Sequence, residues 1–310
     1  MSHIWQSTIT ITPDLAKELI ESQTALKVCS ISLLGEGFDN VAYLINDAFV
    51  FRFPRREMGV ECMENEILIL PFLRTQLSFP FSCPEYIGTA TQKFPAPFAG
   101  YSLLRGTPLS DTKPELINDK QCAEQVADWL KQLHSIPVLE EHRKKIRGDH
   151  TWRWNVQEKI TKSKLRIQQY RNYLEDAGFN ISQLLKSADI LQKIQLDQVK
   201  TNCYVHGDLY SRHVLVDNFS KPCGIIDWGD IHTGHPGNDL SLGMMIFSQE
   251  ALEIFFKRYG NVDQQTRDIT LVRVFSHSII LLAYCCENGQ DNLKQWTILA
   301  LQPALQRIQN

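Results

Sequence analysis

The sequence predicts an α+β chain in two parts, a small antiparallel sheet carrying one helix and then a larger, mainly helical stretch. Three observations carry this. Strand-like segments crowd between Val28 and Phe53 and again between Phe79 and Gly106. Helical periodicity dominates after Gly106. Beyond it, strand-like pieces return only at Cys203–Val205, Val214–Val216 and Gly224–Ile226. Strands followed by helices are the α+β pattern. The boundary falls near Ser102–Gly106, giving parts of residues 1–103 and 104–310.

Each element has a local cause. Thr12-Pro13-Asp14 predicts a helix start, with a capping hydroxyl, Pro in the first turn and an acid near the positive helix end; the helix runs to about Gln23. Val28–Leu34, Val41–Ile45 and Ala48–Phe53 predict three antiparallel strands, the last two joined by a turn at Asn46-Asp47. From about Met58, the residues Val60, Met63, Ile67 and Leu70 share one helix face, and Pro71 should end or kink that helix. Two further strands are expected in the Phe79–Gly106 stretch, Phe98–Leu104 being the clearer. Ala123, Val126, Leu130 and Leu133 predict a helix by the same spacing. Trp152–Leu174, rich in Lys, Arg and Gln, predicts a helix with one solvated side, and helices fill the chain from about Pro236.

Composition excludes several classes. The chain has 310 residues, 43% hydrophobic and 22% charged, which suffices for a packed core without disulfides or metals. A formal net charge of −3 argues against nucleic-acid or membrane-surface binding through bulk positive charge. The 8 cysteines are scattered with no CxxC pair, which points to reduced thiols and no structural zinc. Residues 1–12 lack a secretory apolar core. The longest apolar run, Ile279–Cys286, falls far short of the roughly 20 residues that span a bilayer. The expectation is a cytoplasmic enzyme with no obligate protein partner.

The strongest motif is Val205-His206-Gly207-Asp208-Leu209-Tyr210-Ser211-Arg212-His213-Val214, followed by Gly224-Ile225-Ile226-Asp227-Trp228-Gly229. Short apolar strands flank a polar loop, and their ends are expected to bring Asp208, His213 and Asp227 toward one point. A carboxylate that orients an attacking hydroxyl, beside a divalent-cation site, is what phosphoryl transfer requires. The stretch from His206 to Asp227 resembles the catalytic loop and metal-binding segment of the aminoglycoside phosphotransferase family, a branch of the protein-kinase-like fold. The resemblance extends from about Leu33 to Leu242. It implies a bilobal fold, Asp208 as catalytic base, Asp227 as the main Mg²⁺ ligand, and His213 as a second ligand at the family's Asn position. Macrolide phosphotransferases resemble this sequence in having His there.

The N-terminal part agrees independently. Leu34-Gly35-Glu36-Gly37-Phe38-Asp39-Asn40 lies between the first two strands, and its glycines let backbone amides approach phosphates. Asn40 stands where many kinases carry a third glycine. Arg52 on the third strand takes the place of the kinase lysine, with a planar fork instead of a point charge. Its expected partner is Glu66, ahead of Glu64 and Glu61. Tyr101–Leu109 resembles the family hinge: backbone groups of Ser102, Leu103 and Leu104 should meet the base of ATP or GTP, and Gly106 should give flexibility.

Asp239 is read as a helix cap or loop brace, His206 as a support of the catalytic loop, and His134 as a C-terminal helix cap. The acceptor implied is a small molecule, first an aminoglycoside antibiotic. A polycation needs an acidic cleft, which Asp230, Glu250, Glu253, Glu287 and Asp291 could supply, with Asp230 and Glu287 singled out as substrate contacts. A macrolide, or choline, homoserine or a sugar, is the alternative acceptor; an inactive nucleotide-binding module is the competing class.

Overall fold

The structure, a computed structural model, describes residues 8–37, 39–146, 155–196, 199, 202–260 and 262–309. Phe38 of the glycine loop and Trp152 at the expected start of the basic helix lie outside them. The chain forms two compact units: Met1–Arg105 with Leu139–Gly148 and Gly224–Ile231, and Gly106–Val138 with Asp149–Cys223 and His232–Asn310. Two later segments thus group with the N-terminal stretch.

The first unit opens with α1 (Pro13–Gln23), where Thr12 Oγ1 accepts from the Leu15 amide and Ala16, Leu19 and Ile20 are buried. There follow β1 (Ile31–Glu36), β2 (Asn40–Ile45), β3 (Phe49–Pro54), α2 (Glu57–Arg74), β4 (Pro84–Gly88) and β5 (Phe98–Ser102). The strands form one antiparallel sheet in the order β1-β2-β3-β5-β4. Asn46 and Asp47 turn the chain between β2 and β3 with φ of 53° and 52°, the left-handed pair that a tight hairpin requires. Fully buried Phe51, Phe53, Phe94 and Phe98 fill the core, Phe53 stacking on Phe98 with ring centroids 4.9 Å apart. Contrary to one alternative above, α2 does not end at Pro71 but runs on to Arg74. Proline removes one backbone hydrogen bond there, and burial of Ile69, Leu70 and Leu73 keeps the last turn helical.

The second unit is mainly helical. It contains β6 (Thr107–Pro108), α3 (Lys120–Ser135), α5 (Val156–Gln169), α6 (Arg171–Asp176), α7 (Ile181–Leu191), β7 (Cys203–Val205), β8 (Val214–Val216), β10 (His232–Gly234), α8 (Gly237–Ile246), α9 (Gln249–Tyr259), α10 (Gln264–Glu287) and α11 (Asp291–Gln309). The short α4 (Glu140–Lys145) groups with the first unit, and β9 (Pro222–Ile225) leads the chain into it. The expected helix through Leu174 is broken at Tyr170, whose φ of −106° and ψ of 25° leave the helical region. The break lets Leu174 and Phe179 join the core that Ile160 and Ile167 already line. β10 pairs with β7 in antiparallel register, a strand the sequence pattern does not mark. By length and composition α10 could cross a membrane, yet 67% of its most apolar stretch is buried inside the protein.

Candidate active site

The first unit assembles a charged cluster on β3, α2 and the segment after β9. Arg52 projects from β3 and divides its fork: Nη1 donates to Glu66 Oε1 at 2.8 Å and Nη2 to Asp227 Oδ1 at 2.7 Å. Glu66 is fully buried, and its Oε2 accepts from the Tyr101 hydroxyl at 2.8 Å. Burial opposes the charge on Arg52, but Glu66 and Asp227 outweigh it and hold the guanidinium charged. Asp227 has φ of 61°, a conformation rare for a residue with a side chain, and its carboxylate is 46% exposed. The segment is pinned by Ile225, which exchanges backbone hydrogen bonds with Pro80 and Ser82, and by Trp228, fully buried against Phe81.

The glycine loop lies on the same unit. The Gly37 amide donates to the Asn40 carbonyl at 2.9 Å, and Arg55 Nη1 donates to the Gly37 carbonyl at 2.9 Å. Arg56 Nε holds the Asp39 carboxylate at 2.7 Å. Burial raises the Asp39 carboxyl; Arg56 opposes this, and Asp230 and Asp227 add to it. A Cβ added at Gly35 would meet nothing within 4 Å among the described residues, so a ligand has room there. Leu33, Leu34 and Leu103 are exposed apolar side chains. In the hinge, the Leu103 amide is already donated to the Ala48 carbonyl at 2.8 Å, so a base would have to use other backbone groups of Ser102–Leu104. Gly106 has φ of 141°, and a Cβ there would lie 2.7 Å from Cys223 Sγ and 3.0 Å from Leu215 Cβ. Close packing and backbone conformation, not looseness, account for this glycine.

The second unit builds the Asp208 loop between β7 and β8. Gly207, with φ of 90°, turns the chain sharply. Asp239, in the first turn of α8, accepts from the His206 amide at 2.7 Å and the Gly207 amide at 3.0 Å, while Asn238 Nδ2 donates to the Gly207 carbonyl at 2.9 Å. Asp239 is therefore a loop brace. His134, expected as a helix cap, instead places Nε2 3.2 Å from Asp239 and Nδ1 3.0 Å from the Tyr259 hydroxyl. His206 supports the loop as expected, its Nδ1 accepting from the Asp208 amide at 3.3 Å. His213 Nδ1 lies 2.7 Å from the Asp208 carbonyl, which fixes the ring against the loop.

The local motif did not disclose the partners of Asp208. Arg273 Nη2 donates to Asp208 Oδ1 at 2.6 Å, and His277 Nδ1 is 3.8 Å from the same oxygen. Burial would raise the Asp208 carboxyl, but Arg273, then His277 and His213, hold it far below the usual carboxylate range. A signal for these residues exists in the sequence: Arg273, Ser276 and His277 are polar residues in the mainly apolar stretch Ile269–Cys286. The structure groups the expected residues in two sets, Arg52–Glu66–Asp227 in one unit and Asp208–His213 in the other. Asp230 is partly buried in the first unit. Glu250, Glu253, Glu287 and Asp291 are exposed on α9, α10 and α11, and Glu253 shares its depression with Lys257 and Arg267. Among the described residues, no three His, Cys, Asp or Glu side chains form a metal-binding group.

The sequence profile of the phosphotransferase enzyme family (APH) matches residues 30–272. Among curated proteins, the uncharacterized protein YcbJ of Bacillus subtilis (strain 168) is 24% identical over 224 residues, a match covering 65% of this chain and 64% of that protein. Among solved structures, the GDP and kanamycin complex of APH(2")-IIia superposes with a TM-score of 0.68 at 24% identity, covering 95% of this chain and 98% of that one. Macrolide 2'-phosphotransferase type I does so with a TM-score of 0.60 at 20% identity, covering 94% and 97%. The fold is thus the kinase-like fold of these enzymes. With the profile spanning most of its length, the chain belongs to the phosphotransferase enzyme family.

Proposed function

We propose that the chain transfers the terminal phosphoryl group of ATP or GTP to a hydroxyl of a small molecule, an aminoglycoside antibiotic being the first acceptor class. The observation that carries the reading is the Asp208 carboxylate, which Arg273 holds by one oxygen in a loop braced by Asp239. A carboxylate so held stays ionised and accepts a hydrogen bond from the attacking hydroxyl. In a loose transition state positioning and charge neutralisation dominate, so an ionised, oriented carboxylate suits the task. Arg52, kept charged by Glu66, faces the phosphates together with the open side of the glycine loop, and Ser102–Leu104 meet the base. Asp227, half exposed in a strained conformation, would hold Mg²⁺. When bound, the ion neutralises charge on the phosphate oxygens.

The acceptor class comes from the neighbours, one of which is a kanamycin complex. A macrolide is the second reading: the Arg273 guanidinium on Asp208 is a fixed cation that a polycation would not favour.

The test is magnesium-dependent nucleotide turnover with and without kanamycin, gentamicin, streptomycin and a macrolide. Wild-type protein should phosphorylate at least one of them, and Asp208→Ala should lose about 10²–10⁴-fold in rate while keeping its fold and nucleotide affinity. Near-normal transfer by Asp208→Ala would refute the role of that carboxylate.

A further inference from the structure

The α10 helix sets against Asp208 a group of side chains that the reaction above leaves partly unused. Along the helix Ile269, Val272, Val274, Phe275, Ile279 and Leu282 are buried core residues. Arg273, Ser276 and His277 interrupt them at spacings of three and four, so they share one face. Arg273 spends a single nitrogen, Nη2, on Asp208 Oδ1 at 2.6 Å, and His277 Nδ1 lies 3.8 Å from that oxygen. Asp208 Oδ2 receives no hydrogen bond among the described residues.

Three more atoms of this face, Arg273 Nε, Ser276 Oγ and His277 Nε2, are buried with no hydrogen-bond partner among the described residues. Ser276 is 5% exposed and the His277 side chain 10%. Buried polar atoms are nearly always met, and orphans gathered on one face beside a catalytic carboxylate call for an explanation. Packing alone would be served better by apolar residues of similar volume. Burial, then the Arg273 charge, pushes the His277 imidazole down to about 3, so at neutral pH it carries no charge. The face therefore offers one permanent cation, one hydroxyl and one neutral imidazole.

We propose that Arg273, Ser276 and His277 form the acceptor-positioning site of the enzyme. Arg273 fixes Asp208 through Oδ1 so that Oδ2 meets the attacking hydroxyl. Arg273 Nε, Ser276 Oγ and His277 Nε2 bond to oxygen groups beside that hydroxyl. The fixed cation disfavours an ammonium there, so the site takes an acceptor whose reacting hydroxyl has hydroxyl or ether neighbours. The hydroxyl oxygen bonds to the terminal phosphorus as the bond to the bridging oxygen breaks. The nucleoside diphosphate leaves with the electron pair, and the proton passes by way of Asp208 Oδ2 to the transferred phosphate or to solvent.

This proposal rests on the phosphotransferase reading above, and its test separates the two. Full-length Arg273→Gln, Arg273→Lys and Ser276→Ala are compared with wild type. The measurements are nucleotide affinity by calorimetry, nucleotide hydrolysis with water as acceptor, and transfer to kanamycin and to a macrolide. Arg273→Gln should lower kcat about 10²-fold with water and with any accepted antibiotic, because Asp208 loses its fixed orientation. Nucleotide affinity should hold, and Arg273→Lys should recover part of the rate. Ser276→Ala should raise the acceptor KM about 5-fold with a smaller change in kcat, the effect of one lost hydrogen bond. Wild-type kcat in Arg273→Gln would overturn the proposal, as would an unaltered acceptor KM in Ser276→Ala. If Arg273→Gln fails to fold, the lysine and alanine variants decide. Wild-type turnover with water alone would sink the antibiotic reading, and the Arg273 comparison is then made on the water rate.

Discussion

Arg52 serves two carboxylates at once, each from its own nitrogen. Its two terminal nitrogens reach Glu66 and Asp227 separately, 2.8 and 2.7 Å away. A lysine has its three donors on one nitrogen, which would have to meet both carboxylates from a single point, and Glu66 is fully buried. Arg52→Lys should therefore cost about 1–3 kcal/mol of stability, the penalty of an imperfectly met buried group, and weaken nucleotide binding. Urea unfolding measures the first and calorimetry the second; a wild-type midpoint in the variant would show that the fork is dispensable. His213 poses a different question. Its Nδ1 is committed to the Asp208 carbonyl, and the family resemblance offers the ring as a second metal ligand. Imidazole is softer than the amide oxygen that magnesium prefers. His213→Asn should then lower the ratio of manganese-supported to magnesium-supported turnover. An equal loss with both metals would leave His213 as a brace of the loop only.

At the scale of elements, the first turn of α8 works as a clamp on the loop before Asp208. Asp239 receives two backbone amides and His134, and Asn238 takes the Gly207 carbonyl. Burial raises the Asp239 carboxyl, but the hydrogen bonds and charge of His134, with His206 and the Gly207 amide, outweigh it and lower it. Removing one partner of a fully buried charge network costs about 3–5 kcal/mol. Asp239→Ala should fall in that range by urea unfolding, and transfer should fall with it because the Asp208 loop loses its anchor. A variant that folds with wild-type stability would show that the loop carries its own geometry.

For the molecule as a whole, stability should decline in two stages as pH falls. Burial pushes the His235 imidazole down to about 4, against a usual value near 6.5. The unfolded chain binds that proton first, so this contribution is full above about pH 6.5 and drains away toward pH 4. His142, also lowered by burial, acts in the same direction. The hydrogen bond from Lys221, with the Cys122 amide, holds the Asp119 carboxyl down to about 2. Its folded value lies below its unfolded one, so its contribution is full above about pH 4 and is lost as pH falls through 2. Urea midpoints from pH 7 to 2 should show both stages, with a shallower first stage in His235→Gln. Parallel curves for the two proteins would exclude His235 as the source.

Much of this was legible in the amino-acid order because its causes are local. Thr12 caps α1 through its own side chain, Asn46-Asp47 set the hairpin, and His206-Gly207-Asp208 and Ile226-Asp227-Trp228 stand at strand ends that alternation and spacing mark out. Glu66 could be chosen over Glu61 and Glu64 from the sequence, and the structure places it against Arg52. What tertiary structure alone decided are the partners across long separations. Asp227 finds Arg52 across 175 positions, and Asp208 finds Arg273 across 65. The Leu103 amide is consumed by Ala48, and Tyr101 closes over Glu66. No local pattern encodes such pairs. The rotation of α10 that aims Arg273 and His277 at Asp208 follows from burial of Phe275, Ile279 and Leu282 in the helical core. Hydrophobic burial is non-directional and collective, so where it carries a polar residue depends on the whole packed unit and not on that residue's neighbours in sequence.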